Sequence, residues 1–369
     1  MTSDGCDRRS HEQVRASSPE GYTLVELSIA AAITLVVLSA VFASVGQSRS
    51  LLRTQSGMSD MQQRMRVAVD LLQTNLRMAG AGVDAESALG SLISFVPPIL
   101  PYRVGRLRAD PSRDVYFRHD AISVLSAAPA SQTTILTPIS SRSVRVTIGS
   151  ECVGPGALCG FRAGDTVLVF DETGASDTFR ITGVRGPGLR LEHQGQVLSK
   201  TYAHGSYITR VETETYYFDS GRDQLRRYDG WNTDLPLVDD VVNMSFRYFG
   251  DPRPPLLPKP TIGTENCLFD RFGNPKLEPL GRSASLVELT EALVTDGPWC
   301  GVPGNRFDAD LYRIRRIGVF LRMQVSPRAL RGKSPTLFRR PGPARVGLRP
   351  IPDYAVSFEV TPRNINLMR

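Results

Sequence analysis

Chemistry in this chain would have to come from four histidines, five cysteines, a few acidic clusters and one basic run. His119 is followed directly by Asp120, the order of a base and its orienting acid. No serine elbow or cysteine-nucleophile signature accompanies them, and His11, His193 and His204 stand apart in the sequence. There is no H-E-x-x-H, no phosphate-binding loop and no dinucleotide fingerprint. The glycines between Gly154 and Gly160 have the wrong spacing for phosphate and read as a turn. Asp171, Glu172 and Asp177 offer oxygens to a calcium ion, but without the spacing of an EF-hand, so a solvated hairpin turn is the better reading. The expectation is a non-catalytic protein with no metal and no cofactor.

The remaining chemistry is electrostatic and redox. The net charge is +7, and segment 326–349 holds seven basic residues and no acid, so the excess lies there. Such a run could meet nucleic-acid phosphates or anionic headgroups. A mobile, solvated loop explains it as well, and Phe338 alone is too little aromatic surface for base stacking. Cys6 precedes a long apolar segment; Cys152, Cys159, Cys267 and Cys300 follow it. An even count in an exported part suggests disulfides. Proximity favours Cys152–Cys159 and Cys267–Cys300, although four cysteines allow three pairings.

These residues need elements to position them, and the first is plain. Residues 1–21 are polar, and Gly21 precedes the apolar run that begins at Tyr22. An ordinary secretory signal has the opposite order, with its small-residue cleavage site after the apolar part. The stretch from Leu27 to Val45 has no charge, and its nineteen residues span about 29 Å as a helix, close to the hydrocarbon thickness of a bilayer. Glu26 at its start is costly to bury in lipid, so a partner cation is expected.

The run Gly21-Tyr22-Thr23-Leu24-Val25-Glu26-Leu27 resembles the cleavage and methylation motif of type IV prepilins, with Tyr22 where that family usually has Phe. The resemblance implies cleavage after Gly21 by a membrane prepilin peptidase and N-methylation of Tyr22. It also implies that Glu26 guides docking of the subunit into a helical filament, where a neighbouring subunit's amine could lie against it. The implied location is the inner membrane, single pass with a periplasmic head, and then a pilus or pseudopilus. The implied partners are other minor and major pilins and the inner-membrane assembly platform.

Beyond the membrane segment, apolar residues recur at Leu51, Leu52, Met58, Met61, Met65, Val69, Leu72, Leu76 and Ala79, spacings that mark one helical stripe. Gly57 looks like a weak point in it, and Gly80 and Gly82 stop it. A helix over 22–79 is predicted. After it the chain is β-rich. One series of strands is expected at 121–126, 133–137, 143–148, 166–170, 178–184 and 188–192, as a small inserted subdomain. A second series is expected at 206–218, 224–228, 241–249, 311–325 and 354–366, with a hairpin turn at Asp219-Ser220-Gly221-Arg222. The stretch 250–310 is long and rich in Pro and Gly; a short helix is expected at 285–294, and a disulfide would give the stretch order.

The second series also resembles the head of PilW-type minor pilins, in Tyr217-Phe218-Asp219, Leu225-Arg226-Arg227, Leu237–Val242, Phe246-Arg247-Tyr248, Tyr312–Ile317 and Pro362-Arg363-Asn364. J-type minor pseudopilins of type II secretion share part of that pattern. The predicted fold is α+β: a long N-terminal pilin helix, transmembrane in its first half, packed on a β-rich head with an inserted β subdomain. Its expected segments are a leader (1–21), the membrane helix (22–46), its extension (47–82), a connection (83–114), the insert (115–205) and the head (206–369). The expected role is a structural subunit at the tip or initiation complex of a pilus-like filament. The alternatives are a J-type pseudopilin, or a DNA-binding tip subunit that uses 326–349.

Overall fold

The computed structural model describes residues 21–81, 96–102, 117–140, 145–149, 160–171, 176–185, 190–192, 198, 200–230, 233–281, 285–301, 306–343 and 348–366. The fold is α+β: one long helix, α1 (Leu24–Arg77), then a β-rich globular region with several sheets. By packing, the chain forms two units, divided between Arg53 and Thr54. In the first, Leu24–Val45 is a 22-residue apolar stretch with no buried residue. As a helix it rises about 33 Å, enough for a single membrane span.

In the second unit the helix buries one stripe: Gly57, Met61, Met65, Ala68, Leu72, Leu76 and Ala79. The predicted stripe is corrected at its start, because Leu51, Leu52 and Met58 are exposed. The helical face turns instead through Gly57. There the absence of a side chain permits close approach: a Cβ would sit 3.0 Å from Leu330 Cδ1 and 3.1 Å from Val325 Cγ2. Gly57 is a packing contact rather than a weak point. The helix ends as expected at a left-handed glycine, Gly80 (φ 76°). The chain then straps onto a strand, since Gly80 N donates to Leu125 O (2.8 Å) and Ala127 N to Ala81 O (2.7 Å).

The strands in chain order are β1 (Ile99–Leu100), β2 (Ala121–Thr134), β3 (Arg145–Thr147), β4 (Thr166–Phe170), β5 (Ser176–Arg180), β6 (Gly183–Arg185), β7 (Arg190–Glu192), β8 (Tyr207–Asp219), β9 (Gln224–Tyr228), β10 (Asp234–Asp239), β11 (Val241–Gly250), β12 (Val287–Leu289), β13 (Trp299–Cys300), β14 (Phe307–Asp308), β15 (Ile314–Met323) and β16 (Tyr354–Val360). All pairings are antiparallel. The largest sheet runs β1-β2-β8-β4-β5, with β9 on β8 and β10 on β9. A second runs β12-β11-β15-β16, a third β3-β7-β6, and β13 pairs with β14.

Strand β8 joins what the sequence divides into two series. One edge pairs with β2; the other pairs first with β4 and then with β9. Strand β4 is buried on both faces. Leu168 and Phe170 enter the main core, which also holds the α1 stripe. Val167 and Val169 enter a second core with Phe161, Phe179, Tyr202 and Ile208. The hairpin turn after β8 forms as predicted, with Gly221 N and Arg222 N donating to Asp219 Oδ1.

Three predicted elements are corrected. Residues 285–294 are not helical; they hold β12 and a 3-10 turn, Ala292–Val294. The free edge of β11 captures this segment, pairing Tyr248 with Leu289, so tertiary pairing overrides local preference. Residues 311–313 finish a 3-10 turn (Ala309–Arg313) before β15 begins. Strand β16 stops at Val360, and Asn364–Asn366 form another 3-10 turn; Pro362 has no amide N–H for the ladder. The stretch 250–310 is stapled as expected: Cys267 and Cys300 are bonded, with Cα atoms 5.1 Å apart. Cys152 and Cys159 lie outside the described residues.

Candidate functional site

The strongest candidate in the sequence lies at the start of α1. Gly21 and Tyr22 precede the helix, and Tyr22 is 88% exposed. Thr23 and Glu26 form a reciprocal cap. Thr23 N and Thr23 Oγ1 each donate to Glu26 Oε2 at 3.0 Å, and Glu26 N donates to Thr23 Oγ1 at 3.2 Å. This is the capping-box pattern, Thr-x-x-Glu. It satisfies amide groups that the first turn cannot pair internally. Both bonds to the carboxylate fall on Oε2, which leaves Oε1 for an outside donor. After this turn, hydroxyls in the apolar stretch bond back into the helix: Ser28 to Leu24 O, Thr34 to Ala30 O and Ser39 to Leu35 O. No hydroxyl among these three asks for a partner in lipid.

The other candidates are engaged in structure. His119 faces Glu291 at 3.3 Å, whereas Asp120 is held by Arg118 at 2.8 Å. His204 sits in an exposed turn; His11 and His193 lie outside the described residues. Asp171 pairs with Lys200 (2.6 Å), and Asp177 accepts from Tyr202 (2.9 Å). Glu172 and most of the Gly154–Gly160 run lie outside the described residues.

The basic segment is anchored at some points and exposed at others. Among residues 326–343, Leu330, Arg331, Gly332 and Phe338 are buried, whereas Arg328, Lys333, Arg339 and Arg340 are exposed. Arg331 is 5% exposed and donates to Val325 O and Ser326 O at 2.8 Å. It also meets Asp240, which Arg64 of α1 contacts on its other oxygen. Arg340 pairs with Asp223 at 2.5 Å, and Arg339 N donates to Asp353. Asp223 and Asp240 both have positive φ (56° and 60°), the first in the β8–β9 turn and the second between β10 and β11. Short acidic side chains tolerate that conformation, and it aims their carboxylates at the arginines. Long-range ion pairs of this kind leave no local spacing signal.

Sequence reasoning also missed an acidic cluster beside the disulfide. Oxygens of Asp296, Asp308 and Asp310 lie within 4.8 Å of one another. Asp308 accepts from Gly297 N (2.6 Å) and Asp310 N (2.8 Å). Burial nevertheless pushes its carboxyl up to about 6. Burial raises Asp310 too, opposed by Arg313, whose Nε lies 2.5 Å away. Arg313 is 1% exposed and also donates to Pro252 O (2.8 Å) and Glu278 O (2.6 Å). It thereby ties the 3-10 turn to the Pro-rich arm after β11. A cavity of about 630 Å³ lies under that arm, lined by Ile99, Pro254, Leu257, Leu311 and Arg315 among others. Asp251, Arg253 and Arg313 also line it, so its walls are mixed apolar and charged.

No protein-family model matches the chain, and no curated protein matches it. The functional reading therefore rests on the residues and the fold.

Proposed function

We propose that this chain is a prepilin-like minor subunit, a non-catalytic building block of a type IV pilus-like filament. One observation carries the reading. Gly21 stands three residues before the wholly exposed apolar stretch Leu24–Val45, whose first turn holds a single carboxylate, Glu26. A plain membrane anchor gives no reason for that combination. In this reading prepilin peptidase cuts after Gly21 and the new amine of Tyr22 is methylated. The chain waits in the inner membrane, single pass with a periplasmic head, and then joins other minor and major pilins through the assembly platform. Before assembly Glu26 caps its own helix. On assembly its Oε1 accepts a neighbouring subunit's amine without surrendering the cap.

The head supports a minor role. A bulky β-rich region with a second core is hard to repeat at every position of a tightly packed filament. Of the seven cations in 326–349, Arg331 and Arg340 already have carboxylate partners, which leaves fewer for nucleic-acid phosphates.

The test is mass spectrometry of the N-terminus of the chain purified from its own membranes. The expected product begins at N-methylated Tyr22, and Gly21→Val is expected to retain residues 1–21. A wild-type chain that keeps its first 21 residues overturns the proposal.

A further inference from the structure

Strand β16 ends the β12-β11-β15-β16 sheet, and among the described residues no strand pairs with its outer edge. Folded proteins usually guard such an edge with a lysine, a proline, a bulge or a covering loop. Strand β16 reads YAVSFEV, with neither Lys nor Pro, and it pairs with β15 over seven consecutive residues without a bulge. On its core-facing side Val356 and Phe358 pack against the main core yet stay partly exposed, and Tyr354 is 44% exposed. These side chains lack the neighbour that one more strand would supply.

We propose that β16 is a homotypic docking edge that pairs, antiparallel and about a two-fold axis at Ser357, with β16 of a second copy of this chain. The sequence of the strand chooses the occupant and the register. An antiparallel neighbour must place core-facing beside core-facing residues, so a one-residue slip is excluded. Of the registers left, the axis at Ser357 gives the full seven-residue overlap. It sets Tyr354 opposite Val360 of the second copy and Val356 opposite Phe358, both apolar pairs on the core-facing side. On the outer side Ala355 meets Glu359, and Ser357 meets Ser357. No two like charges face each other, and Glu359 is already neutralised by Arg316 at 2.7 Å. Aromatic with β-branched pairs directly opposite are the favourable kind, and like charges there are the unfavourable kind. A closed two-fold pair also leaves neither β16 edge free for open-ended growth. The inference concerns the head alone and stands apart from the proposed function.

The test uses the full-length chain in its membrane. Opposed residues of an antiparallel pair have Cα atoms about 4.5–5.5 Å apart, within disulfide reach. Ser357→Cys is therefore expected to give a reductant-sensitive species of twice the chain mass, and Ser220→Cys in the exposed β8–β9 turn is expected not to. Register is read by co-expressing tagged Ala355→Cys with untagged Glu359→Cys. The mixed pair should cross-link strongly and Ala355→Cys alone weakly. Adding Ser357→Lys to the mixed pair sets two lysines face to face, and the yield should fall by up to about fivefold. A Ser357→Cys chain that remains monomeric, or links no better than the Ser220→Cys control, overturns the proposal. So does linkage to a different protein alone, or equal yields from the mixed and single-site pairs.

Discussion

Replacing Arg313 by methionine tests what holds the arm of residues 250–281 in place. Methionine keeps much of the side-chain volume and removes the charge and all donors. Three acceptors then lose their partner: Asp310 Oδ1, Pro252 O and Glu278 O. Both Arg313 and Asp310 are buried (1% and 4% exposed), so the aspartate is stranded away from water. Breaking a buried ion pair from one side costs about 3–5 kcal/mol. At a urea slope of about 2–3 kcal/mol per molar this moves the unfolding midpoint down by about 1–2.5 M. The effect should depend on pH. Burial already raises the Asp310 carboxyl, and without the guanidinium it rises further, so the stranded group protonates as pH falls. Arg313→Met is thus expected to be less damaging at pH 5 than at pH 7.5. The double variant Arg313→Met, Asp310→Leu should recover at least about half of the loss, because no charge is left buried alone. The assay is urea unfolding of the detergent-solubilised chain followed by tryptophan fluorescence; Trp299 lies in β13 beside this site. A loss under about 1 kcal/mol, or one with no pH dependence, would refute the reasoning.

Other outcomes follow from the same structure. Gly57→Leu should lower stability by about 1–3 kcal/mol, because its side chain has no room against Leu330 and Val325; thermal unfolding checks it. Asp308 binds its proton more tightly folded than unfolded, so stability from this group is present below about pH 4 and is lost as pH rises through about 6. Unfolding free energies from pH 4 to 7.5 should therefore decline more steeply in wild type than in Asp308→Asn. Cys300→Ser opens a bridge between residues 33 apart in sequence, a loss of about 4 kcal/mol by loop entropy, and should make the 250–300 stretch the first site of limited proteolysis.

Much of the fold was legible because it is written in periodicity. The 3.6-residue stripe and Gly80 mark α1 almost to its last turn. Alternation and turn residues place β4 and β9 at their observed bounds. Thr23 and Glu26 were legible as spacing. What the spacing left unread was that they bond each other. Short elements escaped because their cause is a distant neighbour: β12 exists where β11 offers an edge. The same holds for charge. Seven cations without a local acid read as a free basic loop, yet Asp223 and Asp240 reach Arg340 and Arg331 from elsewhere in the sequence, and Asp353 accepts from the Arg339 amide. Asp296, Asp308 and Asp310 follow no metal-site spacing, and only the β13–β14 pairing and the turns beside it bring them together.

Strand β4 gives its two faces to two different cores, Val167 and Val169 to one and Leu168 and Phe170 to the other. It is therefore a party wall. Neither room can be demolished while the other stands, because melting the smaller core exposes the back of a strand that the larger one needs. The head should unfold in a single cooperative step despite its two cores. A shortened chain lacking residues 135–206 would lose a load-sharing strand of its main sheet, and not merely an ornament on its surface.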